Sequence, residues 1–244
     1  MDRRKLLKAG LLGVPACACG LPVFNMEDPG AGASADAAGV ARWGMVIDVT
    51  KCEADCTSCL DACRTENNLV ETGNEATDIH FIRKVDIRRK HVDNAVETPV
   101  PLLCNHCDNP PCVQVCPVKA SFQRADGIVM CDPHRCIGCR YCLIACPYNA
   151  RQFVYAENHD EQSNPNLAKR SHGVSTACNL CAHRVDRGGI PACVEACRQA
   201  GGGALVFGDL NDPDSEISRL VAAKQARGLR EDLGTHPKVY YIGL

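Results

Sequence analysis

Apolar residues come in short bursts along this chain, separated by long polar and glycine-rich stretches. Three bursts, Trp43 to Val49, Phe81 to Ile87 and Ile128 to Met130, are β-prone, and each runs into a group of cysteines. Runs of this length and composition predict strands that enter loops. One helix is predicted late in the chain, from Asp214 to Ala226 with Ser215 as its cap, and its expected use is to cover one half of the cysteine framework. Residues 156–175, polar and rich in Asn, His and Ser, predict a surface insertion.

The first 35 residues follow another pattern. Arg3-Arg4-Lys5-Leu6-Leu7-Lys8 precedes an apolar run from Leu11 to Val23, and small residues follow from Ala31 to Ala37. Charged, apolar and small-residue regions in that order predict a secretory signal over residues 1–35. Its paired arginines resemble the twin-arginine export signal, a route that carries proteins already folded around their cofactors, so a periplasmic (extracytoplasmic) location is expected. Val14-Pro15-Ala16-Cys17 loosely resembles a lipoprotein cleavage site, which makes Cys17 a minor candidate for lipidation. Beyond residue 40 no stretch approaches the ~18–20 apolar residues that span a bilayer. Membrane association is therefore expected through a partner.

Composition changes the picture at one point. Only 5% of the 244 residues are aromatic while 19 are Cys, so something besides a large apolar core must hold the chain together. The formal net charge is −2 and the Lys and Arg are dispersed among acidic residues, which leaves no field able to neutralise phosphates and excludes nucleic acid as a partner.

Sixteen of the cysteines fall into four sets of four. The first is Cys52-x3-Cys56-x2-Cys59-x3-Cys63, and the second is Cys104-x2-Cys107-x4-Cys112-x3-Cys116, followed by Pro117. The third is Cys136-x2-Cys139-x2-Cys142-x3-Cys146, followed by Pro147, and the fourth is Cys178-x2-Cys181-x11-Cys193-x3-Cys197. A cubane [4Fe–4S] cluster needs four thiolates converging on a small tetrahedron, and three closely spaced Cys can wrap it with short turns. In two-cluster ferredoxins the fourth Cys of each run, with Pro behind it, ligates the neighbouring cluster. Gly138, between Cys136 and Cys139, suits a tight turn because it has no Cβ to collide with the sulfurs.

Two other readings explain less. Structural zinc uses two Cys or His pairs per ion, which would account for the fourth set but not for the second and third. Disulfides are a poor use of Cys at x2 spacing, and an odd count leaves a thiol unpaired. Cys17, Cys19 and Cys131 are left over, and Cys131 reads as a buried free thiol in preference to a spare ligand. His106 and His183 lie inside cysteine sets but read as packing or hydrogen-bonding residues. No nucleophile–base arrangement, P-loop or dinucleotide glycine motif is present, so the chain reads as no enzyme by itself.

At these residues the chain resembles the four-cluster ferredoxin-type subunits of respiratory membrane complexes, the group serving dimethyl sulfoxide, polysulfide and tetrathionate reductases and including NrfC. The resemblance runs over residues 43–244 through Cys104-Asn-His-Cys-Asp-Asn-Pro-Pro-Cys112, Cys136-Ile-Gly-Cys-Arg-Tyr-Cys142, Cys146-Pro-Tyr-Asn-Ala-Arg151, Cys181-Ala-His-Arg184 and Pro237-Lys-Val-Tyr-Tyr-Ile242. It implies an α+β fold of duplicated ferredoxin-like 2[4Fe-4S] domains with loop-rich surroundings. Residues 43–103 and 152–210 would form one half, 104–151 the other, and 211–244 a C-terminal extension.

The resemblance also implies the ligands. Cys52, Cys56, Cys59 and Cys197 would hold one cluster and Cys178, Cys181, Cys193 and Cys63 its neighbour. Cys104, Cys107 and Cys112 would take Cys146, while Cys136, Cys139 and Cys142 would take Cys116. The first set departs from the family, with x3 and Glu53-Ala-Asp55 where x2 and an Ile-Gly-type turn are usual. Within the family, the twin-arginine start, Trp43-Gly44-Met45 and Cys63-Arg64-Thr65-Glu66-Asn67-Asn68 look most like the DsrO subunits of Dsr-type complexes. That likeness implies two partners, a polytopic quinone-interacting membrane subunit of the NrfD type and a multihaem cytochrome c, with electrons passed between them.

Overall fold

The computed structural model describes residues 39–244, apart from 70–71, 75, 89–96, 156–163, 168–170 and 224–225. The expected export signal with Cys17 and Cys19, and much of the 156–175 stretch, lie outside the described residues. In chain order the first half holds β1 (Trp43–Asp48), α1 (Ser58–Glu66), β2 (Arg83–Ile87) and β3 (Thr98–Leu102). The middle holds α2 (Pro111–Gln114), β4 (Ser121–Gln123), β5 (Val129–Cys131), α3 (Tyr141–Ala145), β6 (Gln152–Phe153) and β7 (Ser175–Thr176). The last part holds α4 (Ala182–Val185), α5 (Ala192–Ala200), β8 (Leu205–Asp209), α6 (Glu216–Ala223), β9 (Arg227–Gly228) and β10 (Val239–Ile242). Among these, no helix is long and apolar enough to cross a membrane.

One four-stranded sheet organises the chain, in the order β8-β1-β10-β9. β1 runs antiparallel to β8 and parallel to β10, with Met45 opposite both Phe207 and Val239. Side chains alternate across a strand, so the sheet has two distinct faces. Met45, Ile47, Leu205, Phe207, Val239 and Tyr241 pack into the core that contains the buried cysteines, and Trp43 stacks on Phe207 with ring centroids 5.1 Å apart.

The opposite face carries Val46 and Val206, and these pack against Ile217 of α6. Ser215 caps that helix, accepting a hydrogen bond from the Ser218 N–H (3.2 Å). A Cβ at Gly208 would stand 2.9 Å from Ile217 Cγ2, so a glycine is what lets helix and strand meet. The expected helix therefore exists within its expected bounds but covers the sheet, not a half of the cysteine framework. The reason is that it seals the outer face of β8 and β1, and β8 is a strand that the local pattern does not announce.

Helices in the rest of the chain are short and packed in pairs. α1 packs on α5, and α2 on α3. A helix of four or five residues does not persist alone, so α2 and α3 depend on what they are anchored to. The β2–β3 hairpin stays two-stranded, since Pro99 and Pro101 remove ladder donors from β3.

A buried cation ties the sheet to the second cysteine set. Lys238, fully buried, donates from Nζ to Asp108 Oδ1 (2.9 Å) and to the Gly127 carbonyl (2.8 Å). Its own N–H bonds the Asn105 carbonyl (2.9 Å), and its carbonyl accepts from Met45 (3.0 Å). Arg42 pairs with the same Asp108, and these two cations hold the Asp108 carboxyl below its usual range against the opposing effect of burial.

Asp108→Asn leaves the Lys238 ammonium buried among neutral oxygens without the carboxylate that balances it. The expected loss is about 2 kcal/mol, below the ~3–5 kcal/mol of a dry pair because Asp108 is partly exposed. Thermal unfolding followed by circular dichroism should show a lower midpoint, with partial recovery on adding Lys238→Met. An unchanged midpoint for the single variant would show that the pair carries no stability.

Candidate functional site

Seventeen cysteines lie among the described residues, and all are free thiols. One cavity is bordered by Cys104, Cys107, Cys112 and Cys146, with Tyr148 and Arg151 beside them. A second is bordered by Cys136, Cys139, Cys142 and Cys116, together with Cys131, Arg140 and Ser175. Each cavity thus draws three cysteines from one set and one from the other. The chain makes this crossing because Cys112 sits on α2, and a short turn later Cys116 has passed to the far side, with Pro117 preventing the helix from continuing.

The first and fourth sets meet through α1 and α5. Cys197 on α5 lies within electrostatic reach of Cys52 and Cys59, and Cys56 is within reach of both of those. Cys63 on α1 is likewise within reach of Cys178 and Cys193, which also sense Cys181. Among the described residues, no three His, Cys, Asp or Glu side chains stand close enough to hold a single ion. The thiols of the second and third sets border a space instead.

Backbone amides reach the sulfurs. Cys116 Sγ accepts from the Ala120 and Ser121 N–H groups (3.2 and 3.4 Å), Cys136 Sγ from Ser175 N–H (3.4 Å) and Cys178 Sγ from Leu180 N–H (3.4 Å). Asn67 Nδ2 stands 3.7 Å from Cys63 Sγ and 3.8 Å from Cys181 Sγ, spanning two sets with one amide. Donors aimed at sulfur stabilise a negative sulfur framework. Gly138 is needed, though not for the expected reason. It has φ +71°, and a Cβ there would stand 2.5 Å from the Gly173 carbonyl oxygen, so the obstacle is a neighbouring backbone and not a sulfur.

Burial pushes the thiols up, Cys59 and Cys104 to about 12 and Cys107 to about 11. At neutral pH these groups keep their protons unless a cation replaces them, so ligation here releases protons and a metal supplies the missing positive charge. Fours of thiols, about half of them buried, around a shared space with amide donors turned to sulfur fit a polynuclear iron–sulfur group better than a single ion.

The irregular first loop has a support that sequence reading missed. Lys84 of β2 donates from Nζ to the carbonyls of Glu53, Ala54 (2.8 Å) and Cys56 (2.7 Å), closing the x3 loop around one ammonium. Nothing in a lone Lys on a strand signals this role. Arg151 and Asn67 do stand inside quoted motifs, but residue type alone gave them no task. His106 is buried, accepts from Val129 N–H (3.0 Å) and is pushed down to about 3, mainly by burial, so it is a neutral packing residue. His183 Nε2 pairs with Glu66 Oε1 (2.6 Å). Cys131, read as a free thiol, borders the second cavity as a fifth cysteine.

Residues 96–210 match the 4Fe-4S dicluster domain. The chain is 46% identical over 226 residues to the Hdr-like menaquinol oxidoreductase iron-sulfur subunit 1 of Archaeoglobus fulgidus, covering 83% of this chain and 84% of that one. It is 40% identical over 205 residues to a tetrathionate reductase subunit of Salmonella typhimurium, covering 83% and 73%. It is 34% identical over 229 residues to the menaquinone reductase iron-sulfur cluster-binding subunit of Nitratidesulfovibrio vulgaris, covering 82% and 88%.

Lys84→Ala is expected to lower the iron retained by the purified protein, because the three carbonyls lose their common donor and the first loop opens. Cys131→Ser is expected to leave the iron unchanged. Iron and acid-labile sulfide analysis of both variants checks this, and a loss in Cys131→Ser would make that thiol a ligand.

Proposed function

The chain belongs to the family of iron–sulfur electron-transfer subunits of oxidoreductase complexes that carry the 4Fe-4S dicluster domain, and from that premise we propose that it holds four [4Fe–4S] clusters in two exchanged pairs. Cys104, Cys107, Cys112 and Cys146 hold one cluster, and Cys136, Cys139, Cys142 and Cys116 its neighbour. Cys52, Cys56, Cys59 and Cys197 hold the third, and Cys178, Cys181, Cys193 and Cys63 the fourth. What carries this reading is that both cavities are bordered by three cysteines of one set and one of the other. Bound clusters supply one-electron transfer without bond chemistry. The polypeptide binds them, excludes water around them and sets their surroundings through the amide donors and buried charges.

A place at a membrane follows from the same premise. In our reading the subunit is exported by the twin-arginine route and works in the periplasm, bound to a polytopic NrfD-type quinone-interacting partner. Relatives whose names specify menaquinol and menaquinone support a quinone-linked partner. On the other side we place a multihaem cytochrome c in a Dsr-type complex of sulfur metabolism, supported by the Cys63–Asn68 stretch. Exposed Cys139, beside exposed Ile137, Tyr141 and Ile144, supports close approach of a partner to the third set. The second reading, an electron-transfer subunit of a molybdopterin reductase, is favoured by the 40% identity to the tetrathionate reductase protein of Salmonella typhimurium.

Protein purified without oxygen is expected to be brown and to contain ~16 Fe per chain, the content of four cubane clusters. A content near ~8 Fe would reduce the assignment to one pair, and zinc in place of iron would end it. Co-purification from native membranes in mild detergent separates the two readings. Stoichiometric c-type haem supports the Dsr-type complex, whereas molybdopterin without haem overturns it.

A further inference from the structure

Arg151 is an unusual charge to find where it lies. It is 5% exposed and borders the first cavity. Its Nη2 donates to Cys112 Sγ (3.4 Å), while Nε and Nη1 have no hydrogen-bond partner among the described residues. No carboxylate there pairs with it. Burial opposes its charge, yet a guanidinium keeps its proton in any protein setting. A guanidinium taken out of water without an anion is costly, and its fork of N–H groups demands acceptors. The occupant of the cavity is the counter-ion that resolves both demands.

The same cation is felt beyond its own cavity. Cys131, Cys116 and Cys142, all bordering the second cavity, lie within its electrostatic reach. Arg151 thus lies five positions after the last cysteine of the third set in sequence, touches the second set in space, and stands between the two groups of ligands.

We propose that Arg151 is a positioning and tuning residue shared by two neighbouring clusters, donating hydrogen bonds to the one at Cys104, Cys107, Cys112 and Cys146 and raising the reduction potentials of both. The inference rests on the four-cluster reading above. A fixed positive charge in a medium of low polarity favours the reduced, more negative state, and N–H donors to sulfur act in the same direction. On reduction one electron is added, no bond forms or breaks, and no proton moves, because a guanidinium keeps its proton throughout.

The test is an EPR-monitored redox titration of the iron-replete protein beside Arg151→Gln and Arg151→Lys. In Arg151→Gln two midpoint potentials are expected to fall, the larger fall at the first cavity, with the other two unmoved and the iron content retained. Arg151→Lys keeps the charge but not the planar fork, so its potential at the first cavity should fall by less. Potentials unchanged in Arg151→Gln, or falling equally at all four clusters, would overturn the proposal. If Arg151→Gln loses iron, Arg151→Lys decides: a lowered first-cavity potential supports the proposal and an unchanged one overturns it. Iron analysis of the unsubstituted protein tests the four-cluster reading separately, since a low content sinks that reading while the shift on replacing Arg151 is still read on the clusters present.

Discussion

Most of the candidate thiolate ligands lie out of water yet would have to carry negative charge, and these two demands oppose each other. Burial alone drives Cys59 and Cys104 far toward the neutral thiol. The charged form is stable only where a cation stands against it and amide dipoles point at the sulfur. Much of the architecture answers that constraint. Short helices such as α2 and α3 have too few turns to persist alone, but they present cysteines at fixed separations once the sulfurs are tied together. In the assignment we propose, exchange of one ligand between neighbouring sets makes each pair of sites a single structural unit.

Charge is distributed to match. Lys84 closes the first loop through three carbonyls, Lys238 and Arg42 share Asp108 at the edge of the second set, and Arg151 sits between the second and third. Only one of these cations finds its place through an ordinary surface ion pair. Lys238 is buried fully and is compensated by one carboxylate and one carbonyl. A basic residue placed inside a sulfur-rich core is expensive until the core itself is anionic, so such residues mark where negative charge gathers.

Much of this was legible in the sequence, and what was not has a physical cause. Short apolar runs before the first three sets gave β1, β2 and β5, because a β-prone burst ending in a turn has few alternatives. The cap of α6 followed from Ser215, and the helix, Glu216–Ala223, lies inside the expected Asp214–Ala226 range. Its role was misread because it depends on β8 and β10 meeting β1, and such long-range pairing leaves no local trace. Gly138 stands in the expected tight turn at φ +71°, but its crowding neighbour is the carbonyl of Gly173, 35 positions away, and not a sulfur. Lys84 could not be found at all, for its three acceptors are backbone carbonyls with no residue signature.

The parallel pairing of β1 with β10 sets the timetable of folding. Residues 45 and 239 are register partners, so a chain made from its N-terminus presents one side of the central sheet long before the other exists. Contacts of such high sequence separation form late and slowly, because the intervening loop must be closed before pairing rewards it. Cys52 and Cys197 impose the same wait on the first cysteine set. Completion of this molecule is therefore a property of the finished chain and not of any growing portion of it.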